Sequence, residues 1–244
     1  TLLRSAHLLS EALEGKKYGV TIPEASFDLS KVMSRKTKIL KKLGAGIRLG
    51  LQNHGVEIVT EEARLTGKTA DGFTIAAGES SYSARRVIIA TGSKAFIPPI
   101  DGLSDVPYWT AREALEVEEL PKSIVVLGGG VIGMEFVSLF STLGVDVTVV
   151  EMLPKILGPM DEELSTELQQ AFEKRKVKFH LSTKVTAVRD GRVIAEHEGE
   201  QLEIPFDKLL VSVGRRAVTD GLGLETVGVE LQRGAIVVDE HLET

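Results

Sequence analysis

The chain contains no cysteine, which excludes disulfides, thiolate metal sites and any thiol redox centre within its 244 residues. No apolar run approaches the roughly 18 to 20 residues of a membrane-spanning helix, and no basic start followed by an apolar stretch marks a secretory leader. Positive charge is not in excess: 29 Lys and Arg face 35 Asp and Glu, for a net charge of -6. That balance gives no electrostatic footing for nucleic acid or an anionic membrane. The histidines, His7, His54, His180, His197 and His241, are scattered, without the spacing of a metal site or a triad. Internal repeats and low-complexity tracts are also lacking. With 43% hydrophobic residues, the chain can bury a substantial core in one or two domains. It reads as a soluble, cytoplasmic protein with no membrane, nucleic-acid or metal partner.

Apolar spacing predicts a helix over residues 1–14, with Gly15 as its stop, and a second from Asp28 to Gln52. On the second, Val32, Ile39, Leu43, Ile47 and Leu51 form an apolar stripe. Lys31, Arg35, Lys36, Lys38, Lys41, Lys42 and Arg48 read as a solvated basic face rather than a partner patch. From Gly55 onward, β-rich runs at VEIVT, ARLTG, GFTIAA and RVIIAT predict a sheet that stops at Thr91-Gly92-Ser93 and Pro98-Pro99. A short helix is expected over 110–117, with Tyr108 and Trp109 as packing residues.

After Pro121 the order becomes strand (SIVVL), glycine turn, helix (131–143) and strand (VDVTVVE), the alternation of a parallel α/β sheet. A helix over 161–175 should turn Leu164, Leu168, Ala171 and Phe172 inward. Strands at VKFHL, KVTAVRD, RVIAEHE, QLEIPF and KLLVSVG follow, with a hairpin at Asp190-Gly191. In VVLGGGVIGMEF, Gly128, Gly130 and Gly133 have G-x-G-x-x-G spacing directly after a strand and at the mouth of a helix. Gly128 suits the tight turn, Gly130 a close-approaching pyrophosphate, and Gly133 close helix packing; the unpaired amides of the helix N-terminus complete an anion site. Glu151 ends the next strand about 20 residues on, where a ribose-reading acid belongs, and its charge favours NAD over NADP, with nearby Lys155 tempering that preference. Glu135 is equally well read, on spacing alone, as an acid helping the helix dipole.

Together, GGGVIGME, Glu151, ATGS at 90–93 and SVGRR at 212–216 resemble the pyridine nucleotide-disulfide oxidoreductases over essentially the whole chain, and most of all their dihydrolipoamide-oxidising members. The resemblance implies a Rossmann-like FAD/NAD(P)-binding α/β fold with an NAD domain inserted in a truncated FAD domain. Residues 1–115 would be a partial FAD domain, 116–236 the NAD domain, and 237–244 the FAD domain's return strand. It implies NAD contacts from Gly128, Gly129, Gly130, Val131, Ile132, Gly133, Glu135, Glu151, Val185 and Gly214, and FAD contacts from Ala63, Thr91, Gly92 and Ser93. Glu135 would lie by the nicotinamide and flavin, and Val131 would leave that pocket more open than a bulky aromatic would.

TLLRSAHLL is similar to the helix that follows the family's redox-active cysteine pair. The disulfide, the first flavin βαβ unit and the C-terminal interface domain with its His/Glu pair are therefore expected to lie outside this chain. The implied parent passes electrons from dihydrolipoamide through a disulfide and FAD to NAD, as a homodimer serving 2-oxoacid dehydrogenase or glycine cleavage complexes. The chain by itself is expected to be inactive, with no catalytic residue of its own. A different family parent, such as a mercuric reductase, and a stand-alone NAD-binding module are the alternatives.

Overall fold

The computed structural model describes residues 1–244, which form two compact units: residues 1–41 with 95–214, and residues 42–94 with 215–244. The first begins with α1 (Leu2–Glu14), whose Leu2 and Ala6 are buried. The α-helix ends at Glu14 with Gly15 as its C-cap, as expected, although Gly15 is right-handed and does not turn the chain away. The chain tightens into a 3-10 turn over Gly15–Tyr18 and is released only at Gly19, at φ 77, a left-handed value that costs a residue without Cβ nothing.

Helix α2 (Leu29–Asn53) opens where the Asp28 carboxylate accepts from the Lys31 amide at 3.0 Å, satisfying one of the free donors of a helix start. Its expected stripe is only partly covered. Val32 and Ile39 are half-buried, whereas Leu43, Ile47 and Leu51 are exposed. The basic face departs from expectation at Lys36, which is buried; its ammonium donates to the Leu115 carbonyl and pairs with Glu116 at 3.2 Å. A lysine stem packs like an aliphatic chain when its head finds partners of this kind.

In the second unit, β1 (Ala63–Thr69), β2 (Gly72–Ala77) and β3 (Ser80–Ala84) form an antiparallel meander. The expected strands at VEIVT and RVIIAT do not form. Their β-branched composition favours a strand only where a neighbour supplies the ladder; residues 86–91 have none, and Ile88 is 91% exposed. Serine-rich β3 forms because the turn at Gly78, φ 57, folds it back onto β2. A short strand β4 (Ser93–Ala95) follows.

Back in the first unit, α3 (Ala111–Ala114) is a single turn, shorter than expected, fixed by a reciprocal cap in which Glu113 accepts from the Thr110 amide at 2.7 Å. Then come β5 (Ser123–Leu127), α4 (Val131–Thr142), β6 (Asp146–Val150), α5 (Glu162–Glu173) and β7 (Lys178–His180). On α5, Phe172 and Ser165 are buried, but Leu164 and Ala171 face solvent, contrary to expectation. Strands β8 (Lys184–Arg189), β9 (Arg192–His197) and β10 (Glu200–Pro205) form a second antiparallel meander, and β11 (Lys208–Val211) returns to the parallel sheet. Asp190-Gly191 and Glu198-Gly199, all at positive φ, make the two hairpin turns that match strand twist.

The parallel order is β11-β5-β6-β7. One face, with Val126, Val147, Val149 and Leu210, packs on Val137 and Phe140 of α4, and α1 adds Leu2 and Ala6. Trp109 stacks at 6.2 Å on Phe140. The opposite face, with Val125, Leu127, Val150 and Leu209, is covered by Val188, Val193 and Ile204 of the meander. The sheet is therefore buried on both faces, which is why its strands read as continuous apolar runs.

The second unit closes with β12 (Arg215–Ala217), paired to β4, and the small hairpin of β13 (Leu231–Gln232) and β14 (Ala235–Ile236). Residues 237–244, expected as a return strand, form turns. Asp239 captures the amides of His241 and Glu243, each at 2.9 Å, a local capture that competes with extended pairing.

Lys36→Met keeps the buried stem but removes both polar contacts, so it should cost about 1–3 kcal/mol in denaturant unfolding, while Lys38→Met on the exposed face should change little. Equal effects would show that the buried ammonium contributes nothing.

Candidate functional site

Strand β5 lies between β6 and β11, so the chain leaves its C-terminal end toward one neighbour and returns later on the other side. In open parallel sheets that reversal forms a crevice beyond the strand ends, where ligands sit. The glycine turn lines it. Gly128 has φ 100, and a Cβ there would come 2.7 Å from the Ser212 carbonyl oxygen. At Gly133 a Cβ would lie 2.2 Å from the Gly128 carbonyl oxygen, so the first turn of α4 is pressed onto the loop that precedes it. Gly130 is open by contrast: nothing lies within 4 Å of its Cβ position. No side chain caps α4, which leaves its first-turn amides without an acceptor of their own.

Glu151 directly follows β6 and is tied to the turn. Its Oε2 accepts from the Gly129 amide at 2.6 Å and its Oε1 from the Leu153 amide at 2.7 Å. The Leu157 amide donates to the Gly129 carbonyl at 2.8 Å, and Ile156, fully buried, packs beneath Gly129. Lys155 donates to the Met160 carbonyl at 2.8 Å. On the other side, the Ser212 hydroxyl reaches the carbonyls of Leu127 at 2.9 Å and Gly128 at 3.2 Å, and Gly214 follows with φ 136.

The structure thus brings Gly128, Gly129, Gly130, Gly133, Glu151 and Gly214 to one end of the sheet. Val131, 60% exposed, and Glu135 lie one turn apart on the wet face of α4; Glu135 forms no ion pair, and Ile132 is half-buried. Val185 sits on β8, half-buried against the cluster under the meander.

Ala63, Thr91, Gly92 and Ser93 belong to the second unit. Ala63 is exposed at the start of β1. Thr91 donates to the Val218 carbonyl at 2.6 Å, Gly92 (φ 72) accepts from the Val218 amide at 3.0 Å, and Ser93 Oγ accepts from Arg215 Nε at 2.7 Å. Beside them lies an apolar cleft of about 130 Å³, lined in part by Ala63, Ile75, Ile89 and Leu222.

Three groups have no counterpart among the residues singled out from sequence. These are Ser212, buried Ile156, and Thr183, which is 1% exposed and lies 3.2 Å from His197 Nδ1. The signal for Ser212 was its place directly after an apolar strand, in the SVG segment. His197, distant in sequence, lies near enough to His180 to act on its charge. Burial first, then His197 and Lys178, lower the His180 pKa below its ordinary value. No His, Asp and Glu side chains gather to hold a metal ion, and no helix is long and apolar enough to cross a membrane.

Residues 3–244 match the family model described as pyridine nucleotide-disulphide oxidoreductase. Among curated proteins, the chain is 34% identical to a dihydrolipoyl dehydrogenase of Acholeplasma laidlawii, over all of this chain and 72% of the relative. It is 35% identical to that of Bacillus subtilis, over all of this chain and 54% of the relative, and 37% identical to that of Cupriavidus necator, over 93% of this chain and 49% of the relative. The chain thus spans about half the length of most of these relatives. A copper(II) complex of the HOCl-induced flavoprotein disulfide reductase RclA from Escherichia coli shares the fold at a TM-score of 0.80 and 22% identity, over 99% of this chain and 52% of that one.

Gly133→Ala should lower stability by about 1–3 kcal/mol through overpacking, outweighing the roughly 1 kcal/mol helical preference for alanine; a rise in the unfolding midpoint would contradict the close approach. For His180, the unfolded chain takes up a proton at higher pH than the folded one does. Its contribution is therefore complete above the ordinary value of about 6.5 and is lost as pH falls through the lowered folded value. His180→Gln should flatten the acid-side decline of the unfolding midpoint between about pH 7 and 5, and an unchanged slope would remove His180 from the account.

Proposed function

Because this chain belongs to the pyridine nucleotide-disulphide oxidoreductase family, we propose that its glycine-turn crevice binds NAD, as the nucleotide station of a flavin-linked dihydrolipoyl dehydrogenase. The observation that carries this reading is the Glu151 carboxylate, held beside the turn by the Gly129 and Leu153 amides. Each carboxylate oxygen has a second acceptor site, so Glu151 can take the adenosine ribose hydroxyls while its backbone bonds persist. A 2′-phosphate would meet that negative charge, and the nearby ammonium of Lys155 is committed to the Met160 carbonyl. The open Gly130 position and the uncapped amides of α4 fit the pyrophosphate.

In this reading Val185 contributes to the NAD site from β8 and Gly214 approaches the nicotinamide ribose. The Val131–Glu135 face of α4 is turned to the nicotinamide and flavin. Ala63, Thr91, Gly92 and Ser93 contribute part of an FAD surface, since their cleft of about 130 Å³ is smaller than sites that enclose such ligands. Bound flavin and nicotinamide supply the hydride chemistry. This chain's residues bind and orient. With no cysteine, none of them carries the dithiol-disulfide step, and the homodimer and 2-oxoacid dehydrogenase or glycine cleavage assembly belong to the whole protein of this reading.

Calorimetric titration with NAD and NADP tests the site. NAD should bind more tightly, Glu151→Ala should lose that preference, and Gly130→Ala should stay folded yet weaken NAD at least tenfold by filling the pyrophosphate's space. Tighter binding of NADP, or unchanged NAD affinity in folded Gly130→Ala, would overturn the assignment.

A further inference from the structure

We propose that Thr183 is a positioning residue for Glu151, and that through it His197 governs how tightly the chain reads the adenosine ribose; this rests on the dinucleotide reading above. Thr183 is 1% exposed, and its hydroxyl donates to the Leu181 carbonyl at 2.8 Å. That bond uses the hydroxyl's one hydrogen; the oxygen also lies 3.2 Å from His197 Nδ1, which donates to it in the Nδ1–H tautomer. The Leu181 bond spans Ser182, a non-glycine residue at φ 48, and holds it in a left-handed conformation that ordinary residues avoid.

From this braced segment three backbone hydrogen bonds reach the turn that carries the carboxylate. The Glu151 amide donates to the His180 carbonyl at 2.9 Å, the Thr183 amide to the Glu151 carbonyl at 2.9 Å, and the Ser182 amide to the Leu153 carbonyl at 3.0 Å. Residues 151 and 153 are also the two ends of the Glu151 Oε1 to Leu153 amide bond. The carboxylate is therefore aimed from two sides, by Gly129 and by the 180–183 segment. Removing the hydroxyl frees Ser182 to relax, and the Leu153 amide moves with it.

The test is a double-mutant cycle on the full 244-residue chain, read by NAD titration with unfolding midpoints recorded in parallel. Thr183→Val, which keeps the shape and drops the hydroxyl, should weaken NAD about tenfold, and Thr183→Ser should restore it to within about twofold of the starting affinity. In a Glu151→Gln background Thr183→Val should cost almost nothing further, because both changes remove the same aimed carboxylate. Additive losses, or full NAD affinity in Thr183→Val, would overturn the proposal. Should Thr183→Val fail to fold, His197→Ala carries the same cycle from the other end of the network. If the unaltered, folded chain does not bind NAD, the dinucleotide reading itself fails and this inference falls with it.

Discussion

The Gly128 carbonyl oxygen occupies the space that a β-carbon on Gly133 would need, and this absence of side-chain volume sets the geometry around it. The close approach brings α4 into line with the end of β5, so its first amides emerge at the strand terminus. Farther along the same helix, Val137 and Phe140 are buried against Val126, Val149 and Leu210 of the sheet. The turn and the core are thus one packing problem. Helix direction is fixed at one end by bare backbone and farther on by aromatic and β-branched side chains. Ser212 closes the arrangement: its amide donates to the Leu127 carbonyl, and its hydroxyl lies within reach of the Leu127 and Gly128 carbonyls.

The electrostatics follow from that backbone. A carboxylate between two amides is stable without a cationic partner, because charge-assisted hydrogen bonds replace the water it gives up. Glu151 therefore needs no lysine or arginine, and the crevice keeps its acid without a neutralising side chain. The positive contribution at the site comes from peptide dipoles, which are spread over several groups and held rigid by the fold.

Most of the parallel sheet and the turn was legible in the sequence, because β5, β6 and β11 are buried on both faces and α4 is apolar almost all round. The glycine spacing and Glu151 stood out because each answers to a local requirement. What was not legible depended on neighbours distant in the chain. Lys36 reads as one more basic residue until Leu115 and Glu116 come to meet it. The RVIIAT run has strand composition and no strand, since a ladder is a property of two segments. Residues 237–244 read as extended, but one aspartate captures their amides locally. Thr183 and His197, 14 positions apart, approach only because β8 and β9 fold into a hairpin.

The pairing of β5 with β11 has a kinetic side. The meander of β8, β9 and β10 is assembled from adjacent segments, whereas the Ser212 hydroxyl meets the Leu127 carbonyl across 85 residues. Short-range hairpins close cheaply, and distant parallel pairing must first meet the entropy of a long loop. The crevice is therefore completed by one of the least local contacts in the first unit. A chain in which Ser212 has reached the glycine turn has already docked β11, so the crevice takes its shape only once the parallel sheet is complete.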